Sequence, residues 1–458
     1  MAFPSFSVII LAAGKGTRMK SPLPKVLHPV AGEPLVRRLV LAAKTAGADQ
    51  IRVVVGAGEQ LVRQVVEPLG AVCFRQEAQK GTADALASAQ PQTLEGIVVI
   101  LNGDHPLVTS QDIRSMVETF NESSHALIVV TAVVKNPGSF GRIVREGPTL
   151  HSIVEARDAG PETKKIREIN TGLYVARAET LTEFLPKIQN RNAQKEFYLT
   201  DIVGLLREDR QGVDGVQFPP HVAFGVNSQE ELMRAGRRVF QLNAKAHMDN
   251  GVIILDAKTT YIESDVIIGE GSVIYPGTFL KSGTQLGRFC VVEPNCMINA
   301  SRIGDAVQIR MGSYLEKAQV GARSEIGPYA RLRPETEIGE EAKIGNFVEL
   351  KKVKFGARSK ASHLTYLGDA IIGEDTNIGC GTITCNYAVD HKKYLTKIGN
   401  NVFVGSDTQF VAPIEIGDGA VIGSGSTITK DVPADALAVT RAQQIIKQNY
   451  RKKASEDV

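Results

Sequence analysis

Three things are missing from this chain of 458 residues, and each absence narrows what it does. It has no long apolar run: the longest, Ala126 to Val134, is far too short to cross a bilayer. The opening Met-Ala-Phe-Pro-Ser-Phe-Ser lacks the basic and apolar regions of a signal peptide. It has no excess of one charge: 53 Lys and Arg stand against 50 Asp and Glu, a net +3 that offers no global attraction to nucleic acid or an anionic membrane. Nor has it a cysteine framework. The five cysteines (73, 290, 296, 380 and 385) include no CxxC pair, and Cys290 and Cys296 fall at equivalent points of successive repeats, as small buried residues would. A reduced, cytoplasmic protein is expected.

What the chain does have is a ladder. Ile262, Ile268, Ile274, Leu280, Leu286, Val292 and Ile298 are spaced six apart; the spacing slips by one and resumes at Ile303, Ile309 and Leu315. It slips again and runs through Val320, Ile326, Leu332, Ile338, Ile344 and Leu350. Beyond a break come Ile372 and Ile378, and beyond another Ile398, Val404, Phe410, Ile416, Ile422 and Ile428. A hexapeptide period indicates a β-helix in which each short strand buries one aliphatic side chain. Length alone calls for two or three domains. Residues 1–228 alternate short apolar runs (Ser7–Leu11, Ile51–Val55, Ala71–Phe74, Ile97–Leu101, Ala126–Val134) with helical patterns (Leu35–Ala46, Leu61–Leu69), as an α/β domain with a mostly parallel, Rossmann-like sheet does. Residues 229–250 form a helical linker, with Leu232, Ala235, Val239, Leu242 and Ala246 at helical spacing and Arg234, Arg237, Arg238 and Lys245 on a solvated face. Residues 251–458 carry the ladder and a charged end, Arg451-Lys452-Lys453.

Ligands of such sheets gather at the carboxyl ends of strands, which singles out the loops after Leu11 and Leu101. The first, Ala12-Ala-Gly14-Lys15-Gly16-Thr17-Arg18 followed by Pro24-Lys25, lets backbone N–H groups approach a polyphosphate, with Arg18 and Lys25 supplying charge. It has neither Walker A nor GxGxxG spacing, and a Gly-rich turn after a strand either binds phosphate or is only a turn. After the second, Asp104 is an oxygen ligand suited to Mg²⁺, or a plain turn residue. In the C-terminal part, the intervals Leu350–Ile372 and Ile378–Ile398 break the period and gather cations, tyrosines and His363, whose ordinary pKa suits removal of a proton from an amine.

LAAGKGTRM with PK, then Gln76-Glu77, Gly81-Thr82, Asn102-Gly103-Asp104, Glu155, Asn170-Thr171-Gly172 and Asn227, resemble the motifs of the sugar-nucleotide pyrophosphorylases over residues 6–228. With ARLRP, NFVELKK, SHLTYLGDA, NIGCGTITCNY and VFVGSDTQ added, the whole chain resembles the bacterial GlmU family. These are bifunctional N-acetylglucosamine-1-phosphate uridylyltransferases and glucosamine-1-phosphate N-acetyltransferases, whose product feeds peptidoglycan and lipid A precursors. The resemblance implies a left-handed parallel β-helix, a homotrimer, Mg²⁺, and acetyl-CoA and UTP as co-substrates, with glucosamine 1-phosphate and N-acetylglucosamine 1-phosphate as acceptors. It places Leu11, Gly14 and Lys25 on the nucleotide side, Gln76, Gly81 and Thr82 at the uracil, Gly141, Glu155 and Asn170 at the N-acetylglucosamine, and Asp104 with Asn227 at the metal. It makes His363 the general base, oriented by Glu349. Arg333, Lys351, Tyr366 and Asn377 would bind the amino sugar phosphate, and Cys380, Asn386, Tyr387, Ser406, Ser424 and Arg441 the acetyl-CoA. The sequence departs from relatives at Asn102, where they carry Tyr or Ser, and at Cys380, commonly Ala; the positions 406, 424 and 441 assume a one-residue shift. The alternatives are a monofunctional nucleotidyltransferase whose β-helix only regulates or oligomerises, and a non-catalytic scaffold that binds nucleotide.

Overall fold

The computed structural model describes residues 3–192 and 194–450; Arg451-Lys452-Lys453 lies outside them. The chain divides into two compact units, Met1–Val239 and Phe240–Val458, and the division falls inside the helix Gln229–Asp249. No helix among the described residues is long and apolar enough to cross a membrane.

The first unit is built on a nine-stranded sheet. Its main path runs 213–217, 127–133, 168–177, 97–102, 6–11, 50–55 and 72–75, and the hairpin of Arg142–Glu146 and Thr149–Val154 joins beside 168–177. The expected strands are all present, and the sheet is parallel except where Glu168–Arg177 runs against its neighbours and within the added hairpin. Alternate side chains of Phe6–Leu11 serve two cores: Val8 and Ile10 pack with Leu39 and Val40, while Ile9 packs with Leu86 and Ile100. Both faces are covered, so the strands are apolar throughout. The pairing of Phe6–Leu11 with Ile97–Asn102 puts Leu11 opposite Asn102, which opens the two motif-bearing loops side by side.

In the second unit every residue of the ladder is buried, from Ile262 (0% exposed) to Ile428 (3%). Strands of two or three residues pair in parallel with the coil above, Leu280 with Ile298, Leu286 with Ile303, Val292 with Ile309, so the ladder forms three inward columns of a parallel β-helix. Buried Ser, Thr and Cys sit two residues before a ladder position, and many bond to the next coil: Ser272 Oγ donates to Gly287 O (3.0 Å) and accepts from Cys290 N (3.0 Å), whereas Thr396 Oγ1 has no partner. The cysteines at 290 and 296 are buried, unbridged thiols.

Two expectations need correction. The interval Leu350–Ile372 is not a break. Lys343–Phe355 and Lys360–Ile372 are long strands paired in register, and the ladder continues through Phe355, Ala361 and Leu367, all buried. Two one-residue slips and an alanine in a ladder position disguise it. The second interval is a true insertion: Ile372 pairs with Ile398 across 26 positions, against 17 between Phe355 and Ile372, and the extra residues leave the coil as a loop closed by a bridge between Tyr387 and Lys393. In the helix Gln229–Asp249 the basic residues Arg234, Arg237, Arg238 and Lys245 are exposed as expected, but so are Leu242 and Ala246. From Phe240 onward the inward side is set by what the first coils offer: Phe240 meets Tyr261 edge-on at 5.2 Å, Asn243 Nδ2 donates to Ile262 O (2.8 Å), and Ala244 is buried.

Ile309 is fully buried and Gln308 is exposed. Ile309→Ala should cost the second unit about 2–5 kcal/mol, and Gln308→Ala no more than about 0.5 kcal/mol. Denaturant unfolding of the two variants checks this; equal losses would contradict the inward column.

Candidate functional site

The carboxyl ends of Phe6–Leu11 and Ile97–Asn102 open on a cavity of about 470 Å³ whose lining includes Leu11, Gly14, Lys25, Gln76, Gly81, Thr82, Asp104, Gly141, Glu155 and Asn170. A second cavity of about 540 Å³ shares Leu11, Thr82, Asn102, Glu155 and Asn170 and adds Arg18, Arg157, Asp158 and Tyr198. The expected nucleotide and sugar residues are thus brought to one place. Gly81 starts the helix Thr82–Ser88 at φ +126, and a Cβ there would lie 2.4 Å from Phe197 O, so only glycine lets the chain 194–199 close over the cleft. Thr82 Oγ1 accepts from Leu199 N (3.0 Å), and Gln76 Nε2 donates to Asp84 Oδ2 (2.7 Å), which fixes the Gln76 amide in the floor.

Asn102 is held too: its Nδ2 donates to Gly172 O at 3.1 Å, tying the end of its strand to the irregular middle of Glu168–Arg177. Asn170 Nδ2 donates to Tyr174 Oη (2.9 Å), and Asn170 Oδ1 accepts from Gly172 N (2.9 Å). Gly141 lies against Glu155, whose Oε1 would be 3.4 Å from a Cβ at 141. Burial, then the Asp158 and Asp201 carboxylates, push the Glu155 carboxyl above its ordinary value.

At the far end of the cleft the Lys25 ammonium is hydrogen-bonded to Asp104 Oδ2 and, at 3.1 Å, to Asn227 Oδ1. Arg18 Nη2 also donates to Asn227 Oδ1 (2.8 Å), and Asn227 N donates to Glu231 Oε2 (2.7 Å). Burial raises the Asp104 carboxyl, but His105 and Lys25 outweigh it and hold the group below its ordinary value. Asp104 and Asn227, 123 positions apart in sequence, therefore present two oxygens to a single cationic point. Sequence reasoning missed Gln79, Glu196 and Tyr198, which line the cleft without belonging to a quoted motif.

On the β-helix, register orders the remaining candidates. Asn346 pairs with His363; Ala361 pairs with Ile378, Ile378 with Val404 and Val404 with Ile422. Asn346, His363, Cys380, Ser406 and Ser424, each two places past a ladder residue, therefore follow one another along a single corner, one coil apart at about 4.8 Å. Arg441 Nη1 donates to Ser424 O (3.2 Å) and joins them. His363 is exposed, and its Nδ1 lies 2.9 Å from Asn346 Oδ1. Because an amide oxygen only accepts, the neutral tautomer that makes this bond has its proton on Nδ1 and its lone pair on Nε2. Glu349 does not orient the histidine: it pairs with Arg333 (2.9 Å), because register sets Glu349 beside Tyr366 and leaves Asn346 beside His363.

The face after that corner carries Arg333 and Lys351 at matching positions, with Tyr366 beside Gly368. Lys393, from the insertion loop, reaches Lys351; that contact, then partial burial and the charge of Arg333, pull the Lys351 ammonium below its ordinary value. Asn386 is buried and donates from Nδ2 to Asp369, while Tyr387 is exposed with Oη 2.8 Å from His391 Nδ1. Asn377 starts the strand before the corner, paired with Lys360, and does not join Arg333, Lys351 and Tyr366 within one chain. Lys393 and Asn346 went unrecognised as site residues: the first lies in a loop outside the repeat, and the second becomes visible only through register.

Residues 8–164 match the model of the MobA-like NTP transferase domain, 260–300 that of the hexapeptide repeat of succinyl-transferase, and 395–430 that of the bacterial transferase hexapeptide. Among curated proteins the chain is 60% identical over 450 residues to a "Bifunctional protein GlmU" of Bdellovibrio bacteriovorus, covering 98% of each. It is 44% identical to one of Geotalea uraniireducens (98% of this chain, 99% of that one) and 43% identical to one of Carboxydothermus hydrogenoformans (97% and 99%). A nucleotide-type cleft on one unit, a hexapeptide β-helix on the other and relatives of this identity along nearly the full length lead to one statement: the chain belongs to the GlmU family of bifunctional proteins.

Proposed function

We propose that the second unit transfers acetyl from acetyl-CoA to the amino group of glucosamine 1-phosphate, and that the first unit joins the resulting N-acetylglucosamine 1-phosphate to UMP from UTP, releasing pyrophosphate. The observation that carries the reading is the presence, in one chain of this family, of both an anion-receiving cleft at Lys25, Asp104 and Asn227 and an exposed His363 with its Nε2 lone pair free.

In the first reaction a phosphate oxygen of the sugar attacks the α-phosphate of UTP. Two anions must approach, so positioning and charge neutralisation supply most of the acceleration. Gly14 keeps the loop open to the phosphates, Lys25 and Arg18 offset their charge, Gln76, Gly81 and Thr82 fix the base, and Glu155, Asn170 and Gly141 the sugar. Asp104 and Asn227 would hold Mg²⁺. Their all-oxygen donor set suits it, and their convergence on one ammonium supports their bonding one cation together. When bound, the ion neutralises phosphate charge.

In the second reaction the amine of glucosamine 1-phosphate attacks the thioester carbonyl of acetyl-CoA, His363 Nε2 takes the amine proton, and CoA leaves as the thiol. Asn346 keeps the imidazole in the tautomer that can accept it. Arg333, Lys351 and Lys393 are mutually repelling cations that a phosphate would relieve, which supports placing the sugar phosphate there. The column Cys380, Ser406, Ser424 and Arg441, with Asn386 and Tyr387 at the loop, gives an extended thioester a track along the corner. A homotrimer fits this arrangement. Met311, Tyr329, Phe347 and Leu364 form an exposed apolar ridge along the same corner, Tyr329 stacking on Phe347 at 5.8 Å, and Tyr329, Phe347 and Leu364 adopt positive φ (54°, 56° and 39°). The left-handed φ is the ordinary corner conformation of the β-helix, shared by Lys317, Arg323, Glu341 and Arg358; what sets the ridge apart is its exposed apolar surface, which suits it to being covered by another subunit. Acetyl-CoA and UTP as substrates, and thiols that are all unbridged, suit the cytoplasm.

Assays of both reactions on the purified protein decide the reading. His363→Ala should lower acetyl transfer by about 10²–10⁴-fold and leave uridylyl transfer within about twofold; the reverse pattern would reject the assignment. Asn346→Ala should lower acetyl-transfer kcat and displace its pH profile, whereas Glu349→Gln, acting through Arg333, should chiefly raise KM for the sugar phosphate.

Glu155 makes a third test. Its raised pKa means the folded state disfavours the ionised carboxylate, so the stability it contributes is full below the ordinary glutamate range and is lost as pH rises through the folded-state value. Glu155→Gln should therefore raise Tm at pH 7.5, with the gain shrinking toward pH 4, and should raise KM for N-acetylglucosamine 1-phosphate. Thermal melts across pH and initial rates check both; a Tm gain that grows on acidification would contradict the assigned origin of the shift.

A further inference from the structure

Lys25 bonds to Asp104 and Asn227 simultaneously, through one nitrogen and the same two oxygens assigned above to Mg²⁺. The inference that follows rests on that assignment. Mg²⁺ would lie about 2.0–2.1 Å from each oxygen, and an ammonium nitrogen lies about 2.7–3.2 Å from its acceptors. Both positions fall between the same pair of oxygens, too close together for two cations. We infer that Lys25 is a place-holder for the metal: its ammonium fills the cation position of the free enzyme and has to leave before a divalent ion can engage Asp104 and Asn227 together.

The surrounding chain is arranged to keep the amine there. Gly16 has φ +63, and a Cβ on it would lie 2.5 Å from Lys25 Cβ, so the loop 14–19 closes directly onto the stem of the lysine. The stem begins in the short turn Lys25–Leu27, where Val26 and Leu27 are buried and anchor the backbone. Asn227 is fixed from its other side, its N–H donating to Glu231, and its side-chain oxygen already accepts from Arg18. A metal arriving alone would have to strand the lysine with its charge unpaired in a site where its side chain is only 15% exposed.

The way out for the ammonium is in the same cavity. Lys25 lines it with Ala12, Ala13 and Gly14, the backbone that the triphosphate would meet. Rotation of the lysine stem carries the charge from Asp104 to a phosphate oxygen without moving the backbone. Triphosphate thus removes the competitor at the moment it brings ligands of its own for the metal. Metal and nucleotide then bind with positive coupling, and by linkage each raises the affinity of the other equally. The enzyme takes its divalent ion together with the triphosphate and scarcely at all as a free ion, with Lys25 enforcing the difference.

Mn²⁺ is the probe. Its binding to the full-length protein is followed by the electron-paramagnetic signal of the free ion, with and without UTP and with no sugar phosphate present, so that no turnover occurs. Wild-type protein should bind Mn²⁺ weakly without UTP. Lys25→Met, which keeps the stem and removes the charge, should bind it at least about tenfold more tightly, and adding UTP should abolish or reverse that advantage. Lys25→Ala serves as a second variant, and thermal melts confirm that both are folded. An affinity in the lysine variants equal to or below that of wild type without UTP would overturn the inference. Asp104→Asn should remove the tight site in every background. If tight Mn²⁺ binding by Lys25→Met without UTP survives that change, the metal assignment itself fails and the inference falls with it.

Discussion

The constraint on which the second unit depends is geometric: one large aliphatic side chain in every six must point inward, and beside it there is room only for a small side chain such as Ser, Thr, Cys, Ala or Val. Three such columns fill the interior with no room for a ligand, so chemistry is confined to outward positions and to the corners. Because neighbouring coils pair in register, a residue type repeated at one phase of the period becomes a column spaced by the distance between strands, about 4.8 Å. This is how His363, Cys380, Ser406 and Ser424 come to stand in line, and why an extended cofactor rather than a compact one suits them. The same geometry explains the hydroxyls and thiols just inside each corner, which take up backbone polar groups at the turns and leave almost none orphaned.

The first unit solves a different problem with similar means. Its sheet is apolar on both faces, so polar groups collect where the strands end, and Leu11 and Asn102 end together. Two anionic reactants have to be brought there. Lys25 and Arg18 share Asp104 and Asn227 between them, which leaves cationic charge available to a phosphate. On the β-helix, Arg333, Lys351 and Lys393 stand in the same relation to one another, with Glu349 and Asp369 offsetting them only in part. On the β-helix the crowding makes the free state less comfortable than the liganded one; in the first unit the same cations are held by Asp104 and Asn227 until a phosphate arrives.

How much of this could be read from the sequence follows from which forces are local. Ladder positions were legible because burial repeats at a fixed interval, and the cleft residues because motif order survives in the chain. The failures came where register or tertiary packing decided. Ala361 holds a ladder position that spacing alone could not assign to an alanine, so a continuous pair of strands read as a break. Leu242 continued a helical period that Phe240 and Asn243 override by docking on the first coils. The choice between Asn346 and Glu349 as partner of His363 turns on the strand pairing of residues 17 and 14 positions away, which composition does not encode. Lys393 lies in an insertion, where periodicity is silent.

A convex corner is an unusual place for the proposed general base. An exposed imidazole in water has no means of excluding solvent or of holding an amine at a fixed angle, and both are needed for efficient proton transfer. The corner cannot curve inward to supply a pocket, because the interior is occupied by the ladder. Whatever encloses His363 must therefore come from outside its own coils. Among the described residues, the loop at Tyr387 to Lys393 leaves the coil and reaches Lys351 on the following face, and the tail after Thr440 touches the column at Ser424, two coils beyond Cys380. The ridge of Tyr329, Phe347 and Leu364 runs along that column and is apolar and exposed where Asn346 and His363 beside it are polar. A second subunit seated on the ridge would convert an open corner into a cleft, with the histidine on one wall. Oligomer and acetyl-transfer site are then the same structural requirement, imposed by a core too full to hold a substrate.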